Sequence, residues 1–280
     1  MACPAKYHQE RNDWGSLQFG KNTHFRTVAD VKAEILYGFH SVYETLRAGR
    51  RTVHQIYISK QPTNKRIERI RRIADQQRLP IKKLSATQLL SISGNPAHRG
   101  IAASVTPYPL VNVGEILKSG SSDGHLPFLL ILDHISDSHN LGALIRTALC
   151  AGVDGVIIPK DRCAHPSPAV CKVSSGALEH MRVAQVNNIV RCVKSLKERD
   201  VWIVGLDPDA PQSIYAAPLK GALGLVVGGE EKGLRPLLRK KCDFLMSIPQ
   251  RAILGSLNAS VAGAIAMYET YRQRRIDEHL

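Results

Sequence analysis

The 280-residue chain has no apolar run long enough to span a bilayer. The longest, such as Phe128 to Leu132, fall far short of the roughly 20 residues required. Its first residues, MACPAKYHQERNDWG, hold no continuous apolar stretch of the kind a secretory signal needs. A cytoplasmic protein with no membrane partner is expected. The six cysteines, Cys3, Cys150, Cys163, Cys171, Cys192 and Cys242, form no C-x-x-C pair. Cys163 and Cys171 flank His165 at spacings unsuited to a zinc site, so no metal is expected and the thiols read as reduced and structural. No G-x-G-x-x-G follows a strand-like run, which argues against a nucleotide-dependent dehydrogenase. The run GGEEKG (228–233) lacks the G-x-x-x-x-G-K-[ST] pattern of a phosphate loop. Aromatic residues make up 5% of the chain, too few to favour a stacking platform for single-stranded nucleic acid. Internal repeats and low-complexity tracts are absent as well.

What is present is positive charge, and it is unevenly placed. Residues 1–105 carry 18 Lys and Arg against 7 Asp and Glu; the remainder carries 20 against 17, within a formal net charge of +14. A basic module beside a nearly neutral one suggests that the first grips a polyanion and the second does something else. A soluble protein with a well-solvated basic face would look the same on charge alone.

The pattern along the chain supports that division. Residues 1–28 are polar, without apolar period, and read as a flexible extension. Tyr37 to Leu46 reads as a short helix, Val53 to Ile58 as a strand, and 64–78 as a helix with Ile67, Ile70, Ile73 and Ala74 on one face. A strand near Ile81 to Leu84, a helix near Thr87 to Ser91 and a strand over Gly100 to Val105 complete a small α/β domain, 29–106. Pro107, Pro109 and the polar run SGSSDGHLP mark 107–126 as a linker. The remainder, 127–280, alternates apolar strands (Phe128 to Asp133, Val156 to Ile158, Val201 to Leu206, Leu223 to Val227, Phe244 to Ile248) with helices (near Leu141 to Ala151, Ser167 to Leu178, Ile189 to Arg199, Leu234 to Lys240, Leu257 to Arg274). This rhythm implies a parallel sheet buried on both faces, with ligands bound beyond the carboxyl ends of its strands.

Three segments place polar residues and glycines at those ends. In HNLGALIRTA (139–148), Asn140 stands where a helix N-cap is wanted. Arg146 follows in an apolar stretch, where it needs a substrate phosphate or a carboxylate such as Asp133 or Asp137. In VVGGEEKGLRP (226–236), Gly228 and Gly229 permit a tight turn and close approach to a ligand, with Glu230 at the mouth of the sheet. An ordinary turn opening a helix would show the same glycines and glutamates. In SIPQRAILGSLNASVAGAIAMYE (247–269), Ser256 or Asn258 caps a helix of small residues that can approach another segment closely.

Taken in order, N-x-G-x-x-x-R-T-A, G-G-E-x-x-G-L and I-P…S-L-N-x-S-V-A resemble the SpoU branch of the SPOUT RNA methyltransferases, over about 128–275. ILYGFHSVYETLR (35–47) and HRGIAASV (98–105) look like the L30e-like RNA-binding domain of bacterial large-subunit rRNA guanosine 2′-O-methyltransferases. The resemblance implies an α/β fold with a trefoil-knotted catalytic domain and a parallel sheet, preceded by that small RNA-binding domain. It implies S-adenosyl-L-methionine as cofactor, a structured RNA (large-subunit rRNA first) as substrate, and a homodimer through the catalytic domains. By position, Gly228, Gly229, Ile248 and Leu257 match cofactor-contacting sites, with Leu206 lining the same pocket. Two departures stand out: Gln250 replaces the Met of I-P-M, and Gly229 stands where Ala or Ser is common.

The resemblance makes Arg146 the central catalytic residue, with Asn140, Glu230, Ser256 and Asn258 orienting the nucleotide, the arginine and the cofactor loop. A ribose hydroxyl is a poor nucleophile at neutral pH and needs help with its proton. Two roles are open for Arg146: held deprotonated as the base, or charged and stabilising the alkoxide while a phosphate or Ser256 relays the proton. Energetics favours the second, because a guanidinium is a very poor base. Arg66, Arg69, Arg71, Arg72, Lys82 and Lys83 are expected to hold RNA phosphates. A transfer-RNA 2′-O-methyltransferase, a related antibiotic-resistance rRNA methyltransferase, and a non-catalytic RNA-binding or ribosome-assembly protein on the same fold are the competing readings.

Overall fold

The computed structural model describes residues 33–60, 65–122, 125–230, 232–251 and 256–276. The extension expected over 1–28 lies outside the described residues.

Phe128–Asp133 (β5) is buried at every position, as an uninterrupted apolar run requires when a strand is covered on both faces. It lies centrally in a seven-stranded sheet with β6 (Gly155–Pro159), β7 (Val183–Val186), β8 (Trp202–Leu206), β9 (Gln212–Ser213), β10 (Leu223–Gly228) and β11 (Phe244–Ser247), in the order β7-β6-β5-β10-β8-β11-β9. All of its strand pairs are parallel. The chain lays β5, β6 and β7 outward on one side and crosses to β8 and β9. It then inserts β10 between β5 and β8, and β11 between β8 and β9. Helix α9 (Ala259–Ile276) afterwards returns to pack against α5 (Ser138–Cys150) and β10. The small-residue stripe permits this return: a Cβ on Gly263 would sit 2.4 Å from Leu144 of α5.

The first module is a four-stranded sheet in the order β1-β4-β2-β3, built from Glu34–Tyr37, Ile101–Val105, Val53–Ser59 and Ile81–Leu84. Helices α1 (Phe39–Ala48) and α2 (Lys65–Gln76) put Val42, Leu46, Ile67 and Ile70 against Leu36, Ile56, Ile58, Ala103 and Val105. Helix α3 (Ala86–Ser93) covers the other face, where Leu89 meets Tyr37, Leu84 and Ala102. The strand Glu34–Tyr37 was not anticipated. The helix read from Tyr37 begins at Phe39 instead, because Gly38 at φ 84 turns the chain between the two elements.

The stretch expected to be a linker, 107–126, contains helix α4 (Val113–Ser122), with Ile116 and Leu117 buried against Leu129, Ile131 and Ile157. Val113, Ile116 and Leu117 follow helical spacing, but the polar SGSS tail masks it. Tyr108 is also buried, so this connector is strapped to the parallel sheet. The helix expected over Ser167 to Leu178 is α6 (Pro168–Val173) followed by a 3-10 turn, Ala177–Glu179. It breaks at Ser175 and Gly176, which take left-handed φ of 54 and 84. Helices α7 (Ile189–Lys197) and α8 (Pro236–Arg239) complete the domain. None of the described helices is long and apolar enough to cross a membrane. Burial raises the thiols of Cys163 and Cys192 to about 11 and that of Cys242 to about 12, as befits unreactive packing groups.

Candidate active site

The carboxyl ends of β8, β10 and β11 open onto a cavity of ≈ 690 Å³. Leu206, Gly228, Gly229, Ile248 and Leu257 all line it. Val227, Leu234, Leu245 and Met246 add apolar wall, while Asp207, Glu230, Lys232, Arg239 and Lys240 supply a charged rim. Arg239 pairs with Asp207 through its Nε. A cleft of this size with apolar walls and a few convergent polar groups suits a purine nucleoside carrying a zwitterionic tail. S-adenosyl-L-methionine therefore fits the chemistry of the lining.

Gly228 is obligatory for a reason beyond ligand approach. A Cβ there would lie 2.3 Å from the Gly233 carbonyl carbon, and one on Gly229 would lie 2.7 Å from the His134 oxygen. The loop leaving β10 folds back on itself, with the Gly233 amide donating to the Gly229 carbonyl at 2.9 Å. Backbone packing thus shapes the rim on which Glu230 stands.

Beside the cavity, three of the expected catalytic side chains meet. The Asn140 amide donates to Glu230 Oε1 at 2.7 Å across 90 positions of sequence. Asn258 Nδ2 donates to Asn140 Oδ1 at 3.0 Å and also to Glu230 Oε1. Asn258 Oδ1 meanwhile caps α9, accepting from the Ser260 amide at 2.9 Å and the Val261 amide at 3.3 Å. One side chain therefore starts the last helix and joins the site. Ser256 is exposed and lines the cavity.

Asn140 is not the cap of α5. Asp137 is, accepting from the His139 and Asn140 amides. Those bonds hold its carboxyl below the usual range. Freed from capping, the Asn140 side chain sits 9% exposed and turns to Glu230.

Arg146 stands apart. It is exposed on α5, donates to Ser175 Oγ at 3.2 Å and does not line the cavity. Neither carboxylate considered for it is available: Asp137 caps the helix, and Asp133, fully buried, takes Arg235. The Arg235 amide donates to Asp133 at 3.0 Å and its Nε at 2.8 Å. His134 Nδ1 lies 2.9 Å from the same carboxylate. Sequence reasoning missed Arg235, although a carboxylate ending a fully apolar strand signals a buried partner. The pair ties the Glu230 loop to β5.

The expected RNA-binding residues divide. Arg66, Arg69 and Arg72 are exposed on α2, but Arg71 is half-buried and pairs with Glu68 at 3.0 Å. Arg66 lies over Phe39 and Arg69 over Tyr43, at 5.7 and 4.5 Å from the ring centroids. Lys82 and Lys83 are consecutive on β3, so they point to opposite faces. Lys83 shares the pleat of Ile81 on the α1/α2 side, and Lys82 that of Leu84 beneath α3. The six do not form one patch.

Comparison with known proteins places these features in a lineage. The SpoU rRNA Methylase family matches residues 127–268, and the RNA 2′-O ribose methyltransferase substrate-binding family matches 35–111. An uncharacterised tRNA/rRNA methyltransferase of Synechocystis is 39% identical over 89% of this chain, which spans 65% of that relative's length. The 23S rRNA (guanosine-2′-O-)-methyltransferase of Escherichia coli is 37% identical over 86% of this chain and 99% of its own. Among solved structures, the SpoU methyltransferase AviRb of Streptomyces viridochromogenes, in complex with AdoMet, superposes with a TM-score of 0.74 at 21% identity, covering 87% of this chain and 91% of its own. That likeness is one of fold, and it agrees with the architecture implied by the three motifs. The chain belongs to the SpoU rRNA methylase family.

Proposed function

We propose that this chain transfers the methyl group of S-adenosyl-L-methionine to a ribose 2′-hydroxyl of large-subunit rRNA, at a guanosine, in the cytoplasm. Family membership carries the reaction class, an RNA 2′-O-ribose methyltransferase. The 37% identity to the 23S rRNA (guanosine-2′-O-)-methyltransferase of Escherichia coli supports the substrate, and the hydrogen-bonded triangle of Asn140, Glu230 and Asn258 at the edge of the cavity supports where the chemistry takes place.

When bound, the cofactor supplies a methyl group already activated by its sulfonium, so the protein must align the hydroxyl and manage its proton. Leu206, Gly228, Gly229, Ile248 and Leu257 hold the cofactor in the cavity. Glu230 Oε1 fixes both asparagine amides, and Oε2 has no donor among the described residues, which leaves it to orient a sugar hydroxyl. Ser256, on the cavity lip, orients the nucleotide. Arg146 stays charged and stabilises the developing alkoxide, since a guanidinium is a very poor base, and an RNA phosphate or Ser256 relays the hydroxyl proton.

Arg146 follows Asn140 by six residues, about 9 Å along the helix at 1.5 Å per residue. A homodimer would explain why it stands off its own protomer's cavity. Leu149 on α5 and Val261 and Tyr268 on α9 are large apolar side chains 37%, 46% and 50% exposed, an unusual density for two packed helices. Pairing this face between two copies would bury them and bring Arg146 toward the partner's site.

Residues 29–106 form the RNA-docking module, with 107–126 strapping it to the catalytic domain, 127–280. Arg66, Arg69, Arg72 and Lys83 offer phosphate contacts on the α2 side.

The test is methyl transfer from labelled S-adenosyl-L-methionine to unmodified large-subunit rRNA and to bulk tRNA, followed by nucleoside mass analysis. Label on 2′-O-methylguanosine from the rRNA is expected. Label on tRNA alone overturns the reading of the first module, and label on neither overturns the enzymatic assignment for these substrates.

A further inference from the structure

Arg146 is one end of a chain of contacts that ends in the other module. Its single hydrogen-bond partner among the described residues is Ser175 Oγ, at 3.2 Å. Ser175 holds φ 54, a left-handed conformation that costs any side-chain-bearing residue energy and that glycine adopts freely. A serine in such a position, where glycine would be free of strain, suggests that its hydroxyl has a use.

The residues just after Ser175 are gripped from the first module. A Cβ on Gly176 would lie 2.7 Å from both the His40 carbonyl oxygen and Glu44 Cβ, so α1 rests directly on this turn. Glu179, 1% exposed, accepts from Arg51 Nη1 at 3.1 Å. Arg51 also holds Glu34 and the Thr106 carbonyl. His180 Nε2 lies 2.8 Å from Glu44. Arg50 reaches the Met181 carbonyl, which Tyr108 also engages. Every one of these partners belongs to the first module or the strap that follows it.

We propose that the turn 174–180 is a positioning joint, in which Ser175 pre-orients Arg146 for methyl transfer and the first module fixes Ser175. This inference rests on the proposed role of Arg146. An exposed arginine has many rotamers to lose, so a fixed acceptor reduces the entropy cost of placing its guanidinium on RNA. Ser175 acts through Arg146 and is a positioning residue, with no contact to the cavity.

The test uses Ser175→Gly, which removes the hydroxyl while relieving the φ of 54, so that the fold is preserved or strengthened. Steady-state methylation of the rRNA substrate is expected to show kcat lower by roughly tenfold, the order set by one hydrogen bond to a charged group, with KM for the cofactor unchanged. Ser175→Asn, which tolerates a left-handed φ and returns an amide acceptor, is expected to recover most of the rate. Arg146→Lys keeps the charge but not the planar fork, leaving activity measurable. In that background Ser175→Gly is expected to add little further loss. A wild-type kcat for Ser175→Gly, or losses that multiply fully in the double variant, would overturn the positioning role while leaving Arg146 in place. Full activity of Arg146→Ala would overturn the reading of Arg146 itself, and the joint with it.

Discussion

The two modules place function in opposite ways. In the parallel-sheet domain the candidate catalytic side chains gather at one end: Asn140, Glu230 and Asn258 come from three distant segments and are joined by hydrogen bonds. In the first module, Arg66, Arg69 and Arg72 are spread over one exposed helix face and depend little on one another. On the proposed function, the difference follows from what each recognises. Methyl transfer requires reacting atoms fixed to fractions of an ångström, whereas a phosphate backbone is gripped by summed charge. Loss in the first kind of site should be abrupt, and loss in the second gradual.

The sharpest way to break the comparison is to cut the seam between the modules. Arg51 and Glu179 are buried with side chains 0% and 1% exposed, so removing one partner strands the other charge away from water. Arg51→Ala is expected to destabilise the whole chain by about 3–5 kcal/mol, read by denaturant unfolding. Separate unfolding of the two modules in the wild type would show that the seam carries less than this. Arg51→Ala paired with Glu179→Ala should recover part of the loss, because the fully buried carboxylate is then gone and Glu34, the other partner of Arg51, is 24% exposed and reaches water.

The interdependent site yields the next largest effect. Asn140→Ala removes the donor to Glu230 and the acceptor for Asn258 together. Methylation is expected to fall by about a hundredfold or more, in the range seen when a preorganised polar group is deleted from an active site. Stability should change far less, since Asp137 holds the cap of α5. Asn140→Ala combined with Glu230→Gln should cost much less than the product of the single losses, because the two act as one unit. Independent, multiplying losses would mean that the triangle does not act as a unit.

The legibility of these features in sequence follows the same division. The strand Phe128–Asp133 was readable to its last residue because burial on both faces writes an unbroken apolar run. Glu34–Tyr37 was not, because only Gly38 separates it from α1 and the apolar pattern runs on into the helix, and Val183–Val186 was missed as well. The candidate site residues stand in ordered motifs, and the structure adds which of them meet: Asn140 with Glu230 spans 90 positions, which no local pattern encodes, while Arg146 lies apart. The cap of α5 was misplaced by three residues because Asp137 and Asn140 are both good capping residues; the chain uses the earlier one. The Ser175 joint left no readable trace, since a serine in a left-handed turn is chosen by tertiary contacts alone.

The smallest effect belongs to the dispersed surface, and it is the one that distinguishes a phosphate grip from base recognition. Arg72 is exposed on α2, away from the ring contacts that engage Arg66 and Arg69. Arg72→Ala should weaken binding of structured RNA by a few-fold and reduce the slope of log affinity against log salt by about one. The loss should be the same for RNAs of different sequence and similar shape, because a phosphate contact carries no base information. Arg69→Ala should cost more than Arg72→Ala, since Arg69 also covers Tyr43 at 4.5 Å. Part of that extra loss would then appear in stability and part in binding. A salt slope unchanged by Arg72→Ala would remove α2 from the RNA interface and move the search to the opposite face of the sheet, where Lys82 shares the pleat of Leu84.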